Sequence, residues 1–174
     1  MTSLAGRRVL ILAEDLYEDL ELWYPKIRLI EEGAEVHVAA PKVQPYRGKN
    51  GYPLVPDLAL EDVRTADYHA LVIPGGFAPD KLRRYPRALE IVRDFHADAR
   101  PIAFICHGGW VPISAKIVRG YRVTSVNAIR DDLENAGAEW VDEGCVVDRN
   151  LITAQVPKDL PAFCRALIAA VAKR

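Results

Sequence analysis

The sequence predicts an α/β fold in which a mostly parallel sheet carries helices on both faces. Short apolar segments of strand length alternate along the chain with segments of helical periodicity, which is typical of a parallel sheet. The apolar segments, such as Val9–Ala13, are continuous rather than alternating, as in strands that are covered on both faces. We expect one domain spanning residues 1–174, a length that suits a single core.

The first half of the chain predicts three strands and one helix. Apolar residues recur every three or four positions between the first two strands and predict an amphipathic helix that ends at Gly33. Its apolar face would comprise Leu20, Trp23, Ile27 and Ile30. Residues 44–60 predict a loop or a small hairpin. The three strands correspond to the segments "RRVLILA", "EVHVAAP" and "HALVIPGG".

The second half continues the alternation. A helix with Leu89, Val92 and Phe95 on one face precedes the fourth strand, "PIAFIC". Two strands surround the polar turn "DRN", and a last amphipathic helix begins near Pro161. The other helical segments are "GWVPISAKIV" and "DDLENAG".

Composition excludes several classes of function. The formal net charge is −1 and the isoelectric point is about 6.4, so we expect no nucleic-acid partner. No apolar segment approaches the length of a membrane span, so we expect no membrane partner. The three widely spaced cysteines favour reduced thiols in the cytoplasm. The sequence has no CxxC or HExxH motif, so we expect no metal and no other cofactor.

Cys106 is the strongest candidate for a nucleophile. It ends a buried strand and precedes Gly108 and Gly109, in the pattern of a strand–turn–helix elbow that exposes a reactive atom. A thiol near a helix N-terminus is expected to have a lowered pKa. The alternative interpretation is a buried apolar cysteine, which we favour for Cys145 and Cys164 because neither has this context.

Several residues could assist Cys106 at the carboxyl edge of the sheet, where ligands bind in such folds. His107 is the only well-placed histidine and is either a base or a turn residue facing solvent. Its backbone N–H and those of Gly75 and Gly76 are candidate oxyanion donors. Asp80 either orients His107 or caps the helix that follows. Five acids follow the first strand, and any one of them could reach the thiol: Glu14, Asp15, Glu18, Asp19 and Glu21.

Several segments, taken in order, resemble the PfpI family of intracellular cysteine hydrolases. They are "AEDLYEDLELWYP", "LVIPGGFAPD", "AFICHGG", "DDLENAGAEWVD" and "VVDRNLITAQVPKDLPAF". The resemblance implies a flavodoxin-like fold, a homodimer or hexamer, and Cys106 as the nucleophile beside His107. It implies Glu18 as the acid that contacts the thiol and Gly76 as an oxyanion donor. It places Asp80 where relatives have a glutamate that reaches the histidine of a neighbouring subunit.

Two departures from the family pattern lie near the site. Family members often continue Cys-His-Gly with proline, whereas Gly109 and Trp110 follow here, and Trp110 either lines the substrate pocket or only packs. Val126 stands where peptidase-like members have tyrosine. Both changes alter the predicted pocket wall.

The predicted function is that of a cysteine hydrolase whose thiolate attacks a carbonyl carbon. The resemblance implies peptidase, deglycase or glyoxalase activity, with a peptide, a glycated amine or a small carbonyl compound as substrate. We favour the last two because the predicted rim is small. The alternative is a redox-sensing stress protein or chaperone that uses oxidation of Cys106, with Glu18 contacting the oxidised sulfur.

Overall fold

A seven-stranded sheet forms the centre of the computed structural model, which describes residues 3–174. The strands are β1 (Arg8–Leu12), β2 (Glu35–Ala40), β3 (Tyr46–Arg47), β4 (Pro53–Leu54), β5 (Leu58–Ala59), β6 (Ala70–Ile73), β7 (Ile102–Ile105), β8 (Arg122–Val123), β9 (Glu139–Trp140), β10 (Cys145–Asp148) and β11 (Leu151–Ala154). The order in the central sheet is β10-β11-β7-β6-β1-β2-β5. Among the described strand pairs of this sheet, only β10 with β11 is antiparallel, so the predicted mostly parallel sheet is confirmed.

Helices cover both faces of this sheet. They are α1 (Asp19–Glu31), α2 (Ala78–Leu82), α3 (Pro86–Ala97), α4 (Trp110–Ala115), α5 (Arg130–Asn135) and α6 (Leu160–Ala172). The helices α1 and α6 contribute to the core on one face, and α3, α4 and α5 contribute to the core on the other. Within residues 3–174, no helix is both long enough and apolar enough to cross a membrane.

The central strands contribute alternate side chains to the two cores. In β7, Ala103 and Ile105 pack on one face, whereas Ile102 and Phe104 pack on the other, and all four are fully buried. This double burial explains why the strand segments are continuous apolar runs in the sequence. Because β7 lies between β6 and β11, the residue that follows it is held by an interior strand of the sheet.

Two short pairs of strands lie outside the central sheet. The hairpin of β3 and β4 confirms the predicted excursion within residues 44–60, and β5 then adds an edge strand beside β2. The parallel pair of β8 and β9 was not predicted, because two-residue strands leave no periodicity to detect. The predicted helix from Gly109 is shorter than expected, since residues Cys106–Gly109 form a 3₁₀ helix before α4.

The predicted buried face of α1 is wrong. Leu20, Ile27 and Ile30 are 56%, 60% and 51% exposed, respectively. The helix instead buries Glu21, Leu22, Pro25 and Leu29 against the sheet. Both sets recur at helical spacing, and the choice between them depends on tertiary contacts that periodicity does not contain.

We expect Leu29→Ala to lower the free energy of unfolding by about 2–5 kcal/mol, because it empties a fully buried site. Ile27→Ala, on the same helix, should change it by about 0.5 kcal/mol or less, because Ile27 is exposed. Urea unfolding of both variants measures the difference. Equal losses would contradict this assignment of the helix faces.

Candidate active site

Three loops meet at the carboxyl ends of β1, β6 and β7. The segment 74–77 follows β6, and an isolated antiparallel bridge joins its Gly76 to Tyr17 in the loop after β1. Cys106 follows β7 directly and begins the 3₁₀ helix. The segments that the sequence predicted to share one edge of the sheet therefore come together.

Cys106 has a left-handed backbone conformation, with φ of 59°. This conformation costs a residue with a side chain about 1–2 kcal/mol, and such strain is common at functional sites. The turn fits because Gly108 packs against the end of β6, where an added Cβ would lie 2.5 Å from the carbonyl oxygen of Ile73. The strand–turn–helix elbow predicted from the sequence is thus held by a contact that only glycine permits.

The Cys106 thiol is buried, with the residue only 8% exposed. Burial, together with the negative charge of Glu21, raises its pKa to about 12, whereas backbone hydrogen bonds from His107 and Gly76 act in the opposite direction. Our expectation of a lowered thiol pKa is therefore wrong for this arrangement. Desolvation of the thiolate outweighs the favourable backbone dipoles.

Glu21 is the acid beside the thiol. Its side chain is fully buried, and its Oε2 accepts a hydrogen bond of 2.8 Å from the backbone N–H of Gly75. A Cβ on Gly75 would lie 2.5 Å from that oxygen and 2.8 Å from the Cβ of Cys106. Only glycine therefore fits between the side chains of Glu21 and Cys106. Burial, together with the charge of Glu18, raises the pKa of Glu21 to about 7.

Glu18 occupies a different position from the one that the family resemblance implies. It is the N-cap of α1, and its Oε2 accepts a hydrogen bond of 2.9 Å from the backbone N–H of Glu21. Its carboxylate therefore satisfies one of the free donors at the start of the helix. Glu18 therefore positions Glu21, and Glu21 is the acid that lies beside the thiol.

His107 lies against the thiol on another side. Its Nδ1 is 3.3 Å from Sγ of Cys106, and burial, followed by the charge of Lys49, lowers its pKa. The ring of Trp110 is 5.1 Å from that of His107, at an interplanar angle of 59°. The indole Nε1 donates to Asp132 Oδ2 at 2.8 Å, which fixes Trp110 as a wall beside the histidine.

The two predicted oxyanion donors of the glycine turn differ. The N–H of Gly75 is occupied by Glu21, so its predicted role as an oxyanion donor is wrong in this arrangement. The N–H of Gly76 points toward Sγ of Cys106. Gly76 has φ of 77°, and an added Cβ would lie 2.5 Å from the backbone nitrogen of Glu18, so no other residue fits.

Asp80 does not contact His107 within this chain. It lies in α2, and its carboxylate pairs with Arg84 one turn later, at 2.5 Å. Its contacts match neither predicted role. It does not orient His107 in the same chain, and it does not cap a helix that begins at Lys81.

The structure adds Lys49 to the neighbourhood of the site. Its positive charge lowers the pKa of both Glu21 and His107. Lys49 lies in the hairpin of β3 and β4, far from Cys106 in sequence, and no local motif marks it. Among the described residues, no group of three or more His, Cys, Asp or Glu side chains is arranged to hold a metal ion.

Residues 7–170 match the model of the DJ-1/PfpI family. The chain belongs to the DJ-1/PfpI family. A protein named as a deglycase from Pyrococcus abyssi is 47% identical, over 92% of this chain and 97% of its own length. General stress protein 18 from Bacillus subtilis is 37% identical, over 97% and 99%.

A solved structure shares both the family and the fold. It is a two-domain protein containing DJ-1/ThiJ/PfpI-like and ferritin-like domains from Anabaena variabilis, with 38% identity and a TM-score of 0.92. The match covers 94% of this chain and 47% of the other, so this chain spans about half the length of that protein. The predicted family and its flavodoxin-like fold are confirmed.

We expect Glu21→Gln to gain stability relative to the natural protein as pH rises. The pKa of this carboxyl rises from 4.5 to about 7 on folding. Between these two pH values the unfolded chain releases the proton and the folded protein retains it, so the free energy of unfolding falls as pH rises. The amide has no such proton. The advantage of the variant should therefore grow by about 3 kcal/mol between pH 4 and pH 8.

Urea unfolding at both pH values measures this advantage. Glu31→Gln changes an exposed carboxylate on the same helix and is the control. An advantage of Glu21→Gln that stays constant with pH would contradict a raised pKa for Glu21.

Proposed function

We propose that this protein is a cysteine-dependent hydrolase that acts on small carbonyl compounds and on the adducts they form with amines. The observation that carries the proposal is the set of groups around the sulfur of Cys106: Nδ1 of His107 lies 3.3 Å from it, the buried carboxyl of Glu21 lies beside it, and the backbone N–H donors of Gly76 and His107 face it. A carbonyl carbon bonded to that sulfur would have its oxygen within reach of the same donors. Such fixed donors stabilise the negative charge that develops during addition to a carbonyl.

In the first step, the sulfur of Cys106 attacks the carbonyl carbon of an aldehyde. A C–S bond forms, and the π electrons of the carbonyl move to its oxygen, which becomes an oxyanion. With an α-oxoaldehyde, a base removes the proton from the attacked carbon, and the electron pair of that C–H bond forms an enediolate with the neighbouring carbonyl. Protonation of the neighbouring carbon then leaves a hydroxyl there and converts the attacked carbon to a thioester. Water then attacks the thioester carbon and releases a 2-hydroxy acid and the thiol.

Glu21 is suited to take the proton of the thiol. A catalytic base works best when its pKa lies near the working pH, and the pKa of Glu21 is about 7. The lowered pKa of His107 favours a neutral imidazole near pH 7, with Nδ1 at 3.3 Å from the sulfur. Glu21 therefore accepts the thiol proton, and His107 transfers protons on the side of Trp110.

The burial of the thiol supports a small substrate. Cys106 is 8% exposed, and the indole of Trp110 stands beside His107, so a folded polypeptide would have to open before its peptide bond reached the sulfur. An aldehyde or a glycated side chain meets no such obstacle. We therefore favour deglycase or glyoxalase chemistry over proteolysis, in line with the name of the relative from Pyrococcus abyssi.

Other parts of the proposal concern the protein as a whole. We propose a single domain over residues 1–174, of which Met1 and Thr2 lie outside the described residues, and a location in the cytoplasm. We also propose a homodimer or hexamer. The side chain of Asp80 is 44% exposed. Its carboxylate is therefore accessible to His107 of a neighbouring copy, which would replace Arg84 as its partner.

We expect Cys106→Ala to abolish turnover of methylglyoxal and of methylglyoxal-modified amines, since the nucleophile is removed. Cys164→Ala should keep wild-type turnover, because Cys164 is a buried core residue of α6. Formation of the 2-hydroxy acid measures both, with a peptide substrate tested at the same concentration. Turnover that survives in Cys106→Ala would refute the proposal.

A second candidate function is redox sensing through Cys106, supported by the buried Glu21 carboxyl beside the thiol and by the likeness to General stress protein 18. We expect mild peroxide to convert Cys106 to the sulfinate, with protonated Glu21 as hydrogen-bond donor to it. Glu21→Ala should let oxidation proceed to the sulfonate. Mass spectrometry of the Cys106 peptide distinguishes these products, and Cys145, in the same sample, is the internal control.

A further inference from the structure

The tip of the β3–β4 hairpin is fixed to the start of α1. Lys49 donates its backbone N–H to the carbonyl oxygen of Tyr17 at 2.9 Å. The carboxylate of Asp19 accepts the backbone N–H groups of Asn50 and Tyr52, each at 2.9 Å. Gly48 packs so closely against Asp19 that an added Cβ would collide with that side chain. The backbone of Lys49 is therefore held in one position.

Two residues, Tyr17 and Gly76, connect this position to the reacting sulfur. Lys49 is hydrogen-bonded to Tyr17, Tyr17 is bridged to Gly76, and the N–H of Gly76 points at Cys106. The charge of Lys49 acts on both Glu21 and His107, the two side chains that flank the thiol. The ammonium group is thus close enough to the site to act on both of these side chains.

Lys49 has no ion-pair partner among the described residues. Its side chain is exposed, and no carboxylate of residues 3–174 lies within 4 Å of its Nζ. The neighbouring carboxylate of Asp19 is already occupied by two backbone donors. An unpaired cation near a site attracts an anionic group of the ligand.

We propose that Lys49 binds a carboxylate of the substrate and makes the enzyme selective for carbonyl adducts of acidic molecules, such as a free amino acid or a polypeptide C-terminus. This selectivity rests on the proposed hydrolase function. The carboxylate would lie at the hairpin side of the site while the carbonyl carbon meets Cys106. A Lys49 that only tunes the protons of Glu21 and His107 would instead affect charged and neutral substrates equally.

The first experiment compares two substrates that differ only in this charge. They are the hemithioacetals of methylglyoxal with N-acetylcysteine, which carries a carboxylate, and with N-acetylcysteine amide, which is neutral. We expect the natural protein to prefer the carboxylate in kcat/KM by about 5-fold, the upper range for an exposed ion pair. The preference should fall as the salt concentration rises.

Lys49→Gln should abolish the preference, and Lys49→Arg should retain it. Lys173→Gln removes an exposed lysine from the end of α6 and is the matched control. Equal use of both substrates by the natural protein would overturn the proposal. So would a Lys49→Gln variant that loses activity on both substrates by the same factor.

The second experiment does not depend on turnover. Iodoacetate and iodoacetamide both alkylate a thiolate with loss of iodide, but only iodoacetate is anionic. The ratio of their rates at Cys106, followed by mass spectrometry of that peptide, should be about 5-fold higher in the natural protein than in Lys49→Gln. Because both reagents need the same thiolate, its pKa cancels from the ratio.

The two experiments separate the two proposals. A rate ratio that depends on Lys49, without turnover of either hemithioacetal, would refute the hydrolase function and retain the carboxylate site. Turnover that requires Cys106, with a rate ratio unchanged in Lys49→Gln, would retain the hydrolase and overturn the carboxylate site. If Lys49→Gln fails to fold, the natural protein alone tests the carboxylate site. The kcat/KM preference and the alkylation-rate ratio should both fall as salt rises, and ratios independent of salt would exclude the ion pair.

Discussion

The hydrogen bond from the N–H of Gly75 to the buried carboxyl of Glu21 joins the parts of the site. It connects the loop after β6 to helix α1, and Gly75 also fills the space between Glu21 and Cys106. A larger residue at position 75 would push the carboxyl away from the thiol. The arrangement of the acid, the nucleophile and the donor at Gly76 therefore depends on one small residue and one backbone donor.

This arrangement has an energetic cost that the rest of the fold offsets. A carboxyl with a pKa near 7 is destabilising when it ionises, and a left-handed conformation at Cys106 adds strain. Both are tolerated because β7 is fully buried between two other strands and two apolar cores. The same strain and burial that reduce stability keep the sulfur beneath two fixed donors, where a developing oxyanion is stabilised.

Local sequence patterns predict the fold class and the position of Cys106, because apolar runs and glycine turns depend on neighbouring residues. They do not predict which acid meets the thiol. The stripe of Leu20 and Ile27 is the more apolar face of α1, yet the helix turns Glu21 inward. A buried carboxyl contradicts the usual pattern of a core, and such contradictions are expected where function requires them. The family resemblance implied Glu18 as this acid, whereas the structure places Glu21, three residues later, beside the thiol.

Lys49 illustrates a second limit of sequence reasoning, since its position depends on contacts between distant segments. The hairpin reaches the site only because Asp19 and Tyr17 hold its tip, and Asp19 alone would be interpreted as an ordinary acid at the start of a helix. The residues that shape the reaction at Cys106 are close to it in sequence or on adjoining loops. A residue that recognises the remainder of the substrate must stand farther from the sulfur, and a hairpin outside the central sheet supplies that distance.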